Sequence, residues 1–290
     1  PFNHGTAGRA PWFGTACCPS NMARLIPQVP GMAYAHEDDD LYVSFYAESS
    51  TEVEIGGTKV KLEQKTDYPN NGNIALLVEP EKKGVFRLNL RIPTWAQGEQ
   101  FVPGELYDFV DPSSTPVSLE VNGEAVDVGE LEKGFAVIDR EWKAGDKVEL
   151  NLPMPVRANR SRPEVEANVD RIALTRGPFV MCAEGIDNGG VTQRYFFEGK
   201  PKTAVAELSK IAIEHGSFLQ ATVSASAVAE DGGTKDDVPL VLTPYYAWNN
   251  RDFGSMTVWF PTNPNLAIYD PLALPKESVF TEITASHTAE

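Results

Sequence analysis

The chain has 290 residues, 42% hydrophobic and 23% charged, and its 25 basic against 41 acidic side chains leave a formal charge of -16. That apolar content builds a core and excludes a disordered chain. The acidic balance excludes a nucleic-acid partner, because phosphate backbones are held by clustered Lys and Arg. No stretch reaches the ~18 consecutive apolar residues of a membrane helix, so no membrane partner is expected.

Length alone predicts about two domains. The sequence opens Pro1-Phe2-Asn3-His4, without an initiator Met or an apolar leader, and is expected to be part of a longer protein. Its cysteines, Cys17, Cys18 and Cys182, make a poor disulfide framework. The compartment, cytoplasmic or exported, stays open, as does the oligomeric state.

Residues 1 to 16 read as an irregular Gly/Ala/Pro-rich segment carrying Phe2, Trp12 and Phe13. Met22, Leu25 and Ile26 then fall at helical spacing behind Pro19, which suits a first helical turn that needs no N–H partner; Pro27, Pro30 and Gly31 end the helix. From Tyr34 the apolar period becomes two. Strands are predicted at 41–46, 52–55, 59–62, 74–78, 85–92, 117–121, 135–138 and 147–152, with Asn122-Gly123 as a tight hairpin turn and residues 98–115 as a surface insertion. Short strands at this spacing are the pattern of a β-sandwich.

Pro153, Pro155 and Pro163, with Arg157, Arg160 and Arg162, read as a linker crossing near residue 158. A second strand set follows at 171–175, 178–183, 211–213, 218–223, 238–242 and 256–260, with loops at 185–190 and 229–237 and strand character again at 279–290. The predicted fold is mainly β: a short helical segment over 1–31, a first β-sandwich over 32–157 and a second over 158–290.

The feature that carries chemistry is the vicinal pair Cys17-Cys18 at a helix start. Free backbone N–H groups and the positive end of the helix dipole favour thiolates there, and paired soft thiolates are zinc-ligand candidates. Two sulfurs do not complete a tetrahedral site, and adjacency is not a general zinc spacing. From spacing alone, buried unreactive thiols or a strained vicinal disulfide therefore stand ahead of metal as readings of the pair.

Gly8-Arg9-Ala10-Pro11-Trp12-Phe13-Gly14-Thr15-Ala16-Cys17-Cys18-Pro19-Ser20-Asn21-Met22-Ala23-Arg24 resembles the Cys-Cys-Pro-x-Asn-x-x-Arg block of the glycoside hydrolase family 127 β-L-arabinofuranosidases. Residues 41–46, Arg91-Ile92-Pro93-Thr94-Trp95, residues 175–184 and Pro244-Tyr245-Tyr246-Ala247-Trp248-Asn249-Asn250-Arg251 are similar to segments that follow that block, in the same order. The resemblance implies an (α/α)6 barrel, of which residues 1–31 would be the end, followed by β-sandwiches. It implies a zinc ion held by three cysteines and a glutamate, with one zinc-bound cysteine as the nucleophile of a retaining mechanism and a further glutamate as acid/base.

Residue by residue, Cys17 matches the nucleophile and a metal ligand, and Cys18 a second ligand. The third cysteine and both glutamates have no match here, and Cys182 does not replace the missing cysteine. A carbohydrate substrate and zinc are thus expected of the parent enzyme, while this chain alone is expected to bind no zinc and to be inactive. A non-catalytic carbohydrate-binding module, or purely structural domains bracing the barrel, are the competing functions.

His4, Arg9 and Trp12 are candidate sugar-contacting residues, against the plainer roles of a solvated loop and an anchoring aromatic. Arg24 is expected to pair with a carboxylate. Tyr245, Tyr246, Trp248 and Trp259 are expected in a sandwich core, Asp38-Asp39-Asp40 in a solvated turn, and Arg176-Gly177-Pro178 at a bend. If residues 1–31 complete a barrel, Phe2, Trp12, Phe13, Leu25 and Ile26 should lack part of their burial partners.

Overall fold

The computed structural model describes residues 16–98, 100–111, 115–199, 206–213, 216–251 and 254–269. Its contacts divide the chain into two units. One ends at Pro155 and takes in Arg176–Pro178; the other holds Val156–Thr175 and the chain from Phe179 onward.

The first unit starts with the helix α1 (Cys17–Leu25) and a 3-10 stretch over Ile26–Met32. Its strands are β1 (Tyr34–Glu37), β2 (Asp40–Val43), β3 (Ser49–Ile55), β4 (Thr58–Thr66), β5 (Asn73–Pro80) and β6 (Gly84–Arg91). They continue with β7 (Tyr107–Phe109), β8 (Ser118–Val121), β9 (Glu124–Val126), β10 (Phe135–Trp142) and β11 (Asp146–Asn151). A four-stranded sheet in the order β1-β2-β6-β10 faces a six-stranded sheet in the order β3-β4-β5-β11-β8-β9. Every pairing in both is antiparallel except β2 with β6.

Alternation along the strands closes this sandwich, because successive side chains leave a strand on opposite faces. Val60, Leu62, Ile74, Leu76, Val78, Val148 and Leu150 of the larger sheet bury against Leu41, Val43, Phe86, Leu88, Leu90, Ala136 and Trp142 of the smaller one. Trp142 stacks on Phe86 with ring centroids 5.7 Å apart, and its indole N–H donates to the Phe86 carbonyl at 2.9 Å. The core's largest side chain thus leaves no polar atom unpaired. Gly72 permits β5 and β11 to meet at one end, since a Cβ there would lie 1.8 Å from the Leu152 carbonyl oxygen.

The second unit holds β12 (Val156–Ser161), β13 (Arg171–Arg176), β14 (Phe179–Glu184), β15 (Tyr195–Phe196) and β16 (Glu207–Ile213). The hairpin of β17 (Gly216–Val228) and β18 (Thr234–Pro244) follows, then β19 (Met256–Thr257) and β20 (Trp259–Pro261). Hydrogen bonding runs β15-β17-β18-β14-β13-β12, with β16 also on β17, β19 also on β14 and β20 also on β13. Phe196, Phe218, Phe260, Leu240 and Leu242 are buried in it.

The chain is therefore mainly β, with two consecutive β domains behind one α-helix among the described residues, as expected. Four local readings change. The Pro/Arg-rich linker contains strand β12, whose Val156 and Ala158 are buried on one face and Asn159 on the other. The loop at 229–237 is a tighter turn, and β18 already begins at Thr234. The strand at 256–260 is two short ones. Tyr245 and Tyr246 are 40% and 50% exposed, and Trp248 and Trp259 are half-buried, so the expected aromatic core does not form. Tyr245 stacks on Trp248 and Tyr246 leans on Phe179 at the surface. The predicted strand at 279–290 lies outside the described residues.

Asn122-Gly123 does form a hairpin turn, with positive φ at both residues. The Asn122 side chain donates to Asp146 at 2.9 Å and accepts from the Lys147 N–H at 2.9 Å, and the Lys143 N–H donates to Asp146 at 3.0 Å. Burial raises the Asp146 carboxyl, but these donors, with the Arg140 and Lys143 charges, outweigh it and hold the group below its ordinary value. A lowered folded-state pKa stabilises above the unfolded value, ~3.9, and the benefit disappears as pH falls through the folded value. Asp146→Asn should cost about 1–3 kcal/mol at neutral pH. The gap from wild type should shrink in acid, as read by urea unfolding across pH.

Candidate active site

Helix α1 begins with the two cysteines. Ala16 at its N-cap supplies no side-chain cap, Cys17 and Cys18 are the first two helical residues, and Pro19 follows, where a missing N–H costs nothing. No acidic residue lies in the first turn, so the positive helix end is not neutralised locally. Ser20 Oγ donates to the Cys17 carbonyl at 3.2 Å. Arg24 sits in the last turn, where a cation suits the dipole; the expected carboxylate partner is not found among the described residues.

The Cys17 and Cys18 sulfurs are 3.8 Å apart, and both residues are exposed and free. Among the described residues both thiols therefore lie at the surface, without an S–S bond of ~2.05 Å. Cys17 beside it, by the thiol contact and then by charge, pushes the Cys18 thiol above its ordinary value. The helix buries none of its residues. Met22, Leu25 and Ile26 are 50%, 44% and 61% exposed. His4, Arg9 and Trp12, with Phe2 and Phe13, lie outside the described residues. Among the described residues no group of three or more His, Cys, Asp and Glu could hold a metal ion.

Cys182 is separate from this pair: it is fully buried on β14, and burial pushes its thiol up to about 12. Close to it runs a polar network that sequence reasoning missed. Arg251 donates to Asp187 at 2.9 Å and to Glu184 at 2.8 Å, Gln220 donates to Asp187 at 2.8 Å, and the Asn249 N–H donates to Glu184 at 3.0 Å. The hydrogen bonds to Asp187, then those to Glu184, push the Arg251 guanidinium further up against the pull of burial. The partners lie 64 and 67 residues from Arg251, so no local pattern reveals them.

Glu184 and Asp187 need that guanidinium. Arg251→Met should destabilise the second unit by about 3–5 kcal/mol, the cost of leaving buried carboxylates without their cation. Chemical denaturation of the variant checks this. Thiol titration with an aromatic disulfide gives a second test: Cys17 and Cys18 should react in the native protein, and Cys182 only after unfolding.

Residues 40–154 match the model of the β-L-arabinofuranosidase GH127 middle domain, and residues 156–261 that of the glycoside hydrolase family 127 C-terminal domain. The chain belongs to glycoside hydrolase family 127 and carries its middle and C-terminal domains. It is 31% identical over 277 residues to a non-reducing end β-L-arabinofuranosidase of Bifidobacterium longum subsp. longum, an overlap of 89% of this chain and 38% of that protein. A solved GH127 β-arabinofuranosidase matches at a TM-score of 0.80 and 37% identity, over 90% of this chain and 41% of its own. A GH127 β-L-arabinofuranosidase from Geobacillus stearothermophilus T6 matches at 0.75 and 36%, over 88% and 39%. The chain thus spans well under half the length of each of these relatives.

Proposed function

We propose that the protein to which these domains belong is a zinc-dependent, retaining glycosidase that cleaves β-L-arabinofuranosides, with Cys17 as nucleophile and zinc ligand and Cys18 as a second ligand. The observation that carries this reading is the sulfur pair itself. A tetrahedral zinc with Zn–S bonds of ~2.3 Å has corners about 3.8 Å apart, and the two exposed sulfurs stand 3.8 Å apart at a helix start. Two thiols fit two corners. The other ligands and the acid/base glutamate belong, on this reading, to a part of the protein outside these 290 residues, facing the exposed side of α1. Bound zinc would keep both thiols deprotonated at neutral pH.

Retention requires a nucleophile on one face of the sugar and a proton donor for the leaving oxygen. The Cys17 thiolate attacks the anomeric carbon, a C–S bond forms, and the glycosidic C–O bond breaks. The acid group gives its proton to the departing alkoxide. Water then attacks the same carbon, its proton returns to the acid/base group, and the C–S bond breaks to regenerate the thiolate. Chemistry of this kind needs both partners, so residues 1–290 alone supply only one side of it.

In the full-length protein, Cys17→Ala should lower turnover of an aryl β-L-arabinofuranoside by the order of a thousandfold or more. Cys18→Ala should lower zinc content and turnover together, and the 290-residue chain alone should show no turnover. Full activity in Cys17→Ala, or turnover by the isolated chain, would refute the assignment.

A further inference from the structure

The outer face of the six-stranded sheet carries a depression of about 300 Å³, built within the first unit. The strand register puts Lys65, Ala75, Glu149 and Glu120 side by side across β4, β5, β11 and β8, with Asn73 opposite Asn151 in the next outward row. The alternate positions, Ile74, Leu150 and Leu119, are buried, so this row belongs to the solvent face. Ala75 makes the hollow: it is the one short side chain between a lysine and a glutamate.

Two features set this hollow apart from an ordinary solvated sheet face. Glu149 and Glu120 are direct cross-strand partners, and like charges opposite one another oppose pairing. Neither carboxylate has a hydrogen bond or ion pair among the described residues; Lys65 reaches Glu63 instead, at 3.5 Å. The neighbouring amides are pre-oriented, since Asn151 Nδ2 donates to Asn73 Oδ1 at 3.1 Å, which leaves the Asn73 amide hydrogens and the Asn151 carbonyl oxygen for a ligand.

We infer that this hollow is a saccharide-binding site, distinct from the cysteine pair. Each carboxylate can accept from two adjacent hydroxyls, Lys65 and Asn73 can donate to hydroxyl or ring oxygens, and the Ala75 methyl meets the apolar face of a sugar ring. The volume lies at the small end of ligand pockets, ~300–1,000 Å³, which suits one or two sugar rings. A divalent cation is disfavoured because it takes six to eight oxygens and no third acidic, His or Cys side chain converges here among the described residues. An anionic ligand is disfavoured by the two glutamates. This inference goes beyond the catalytic reading and does not rest on Cys17.

Calorimetric or NMR titration of the 290-residue chain with L-arabinose, L-arabino-oligosaccharides and xylo- and gluco-oligosaccharides tests it. Saturable binding of at least one saccharide is expected. The pair Glu120→Gln with Glu149→Gln should weaken it about tenfold or more. Ala75→Phe, an outward-facing change that fills the floor, should abolish it at unchanged thermal stability, and Cys17→Ser should bind as wild type. The inference is overturned by no response to any saccharide, by binding that survives Ala75→Phe, by binding lost in Cys17→Ser, or by calcium chloride saturating the hollow without sugar. None of these outcomes bears on turnover in the full-length protein, so the two readings fail separately.

Discussion

Strict alternation across two facing sheets governs what the first unit can do. Burying Val60, Leu62, Ile74, Leu76, Val148 and Leu150 on one side commits Lys65, Asn73, Ala75, Glu149 and Asn151 to the other. A slip of one residue would exchange the two sets and place charges in the core. The polar hollow on the outer face and the apolar seam beneath it are two consequences of one register. The seam supplies the stabilisation, at roughly 25 cal/mol per Å² of apolar surface removed from water, and the hollow costs little because it faces solvent.

The second unit handles polarity differently, by drawing it into one network. Arg251, Glu184, Asp187 and Gln220 hydrogen-bond to one another, while Arg251 Nε has no partner among the described residues. Such a set adds little net stability over apolar packing, but it ties the end of β14, the turn after it and the loop after β18 into one arrangement.

Much of the fold was legible because periodicity is local. The period-two runs located most strands, and Asn122-Gly123 announced its turn by the residues a positive φ demands. What stayed hidden depended on distance. Strand β12 read as a linker because its arginines and the prolines that flank it mask three buried side chains, Val156, Ala158 and Asn159. Tyr245 and Tyr246 read as core because composition carries no direction. The Arg251 network joins side chains 64 and 67 residues apart, and the facing Glu120 and Glu149 are a product of strand pairing; no single stretch of sequence displays either. The cysteine pair was the opposite case: its chemistry sits in two adjacent letters, and the structure adds its exposure and spacing.

The 3-10 stretch between α1 and β1 contains Pro27 and Pro30, and behind it the buried Ala33 accepts from Ser44 N–H at 2.8 Å. Proline reduces the conformations open to a free chain, so the tether between the thiols and the sheet is stiff before anything grips it. A ligand that captured both sulfurs would therefore freeze few torsions, and more of the bond energy would remain as affinity. The stem of the helix thus acts as an entropic down-payment on whatever the sulfurs hold.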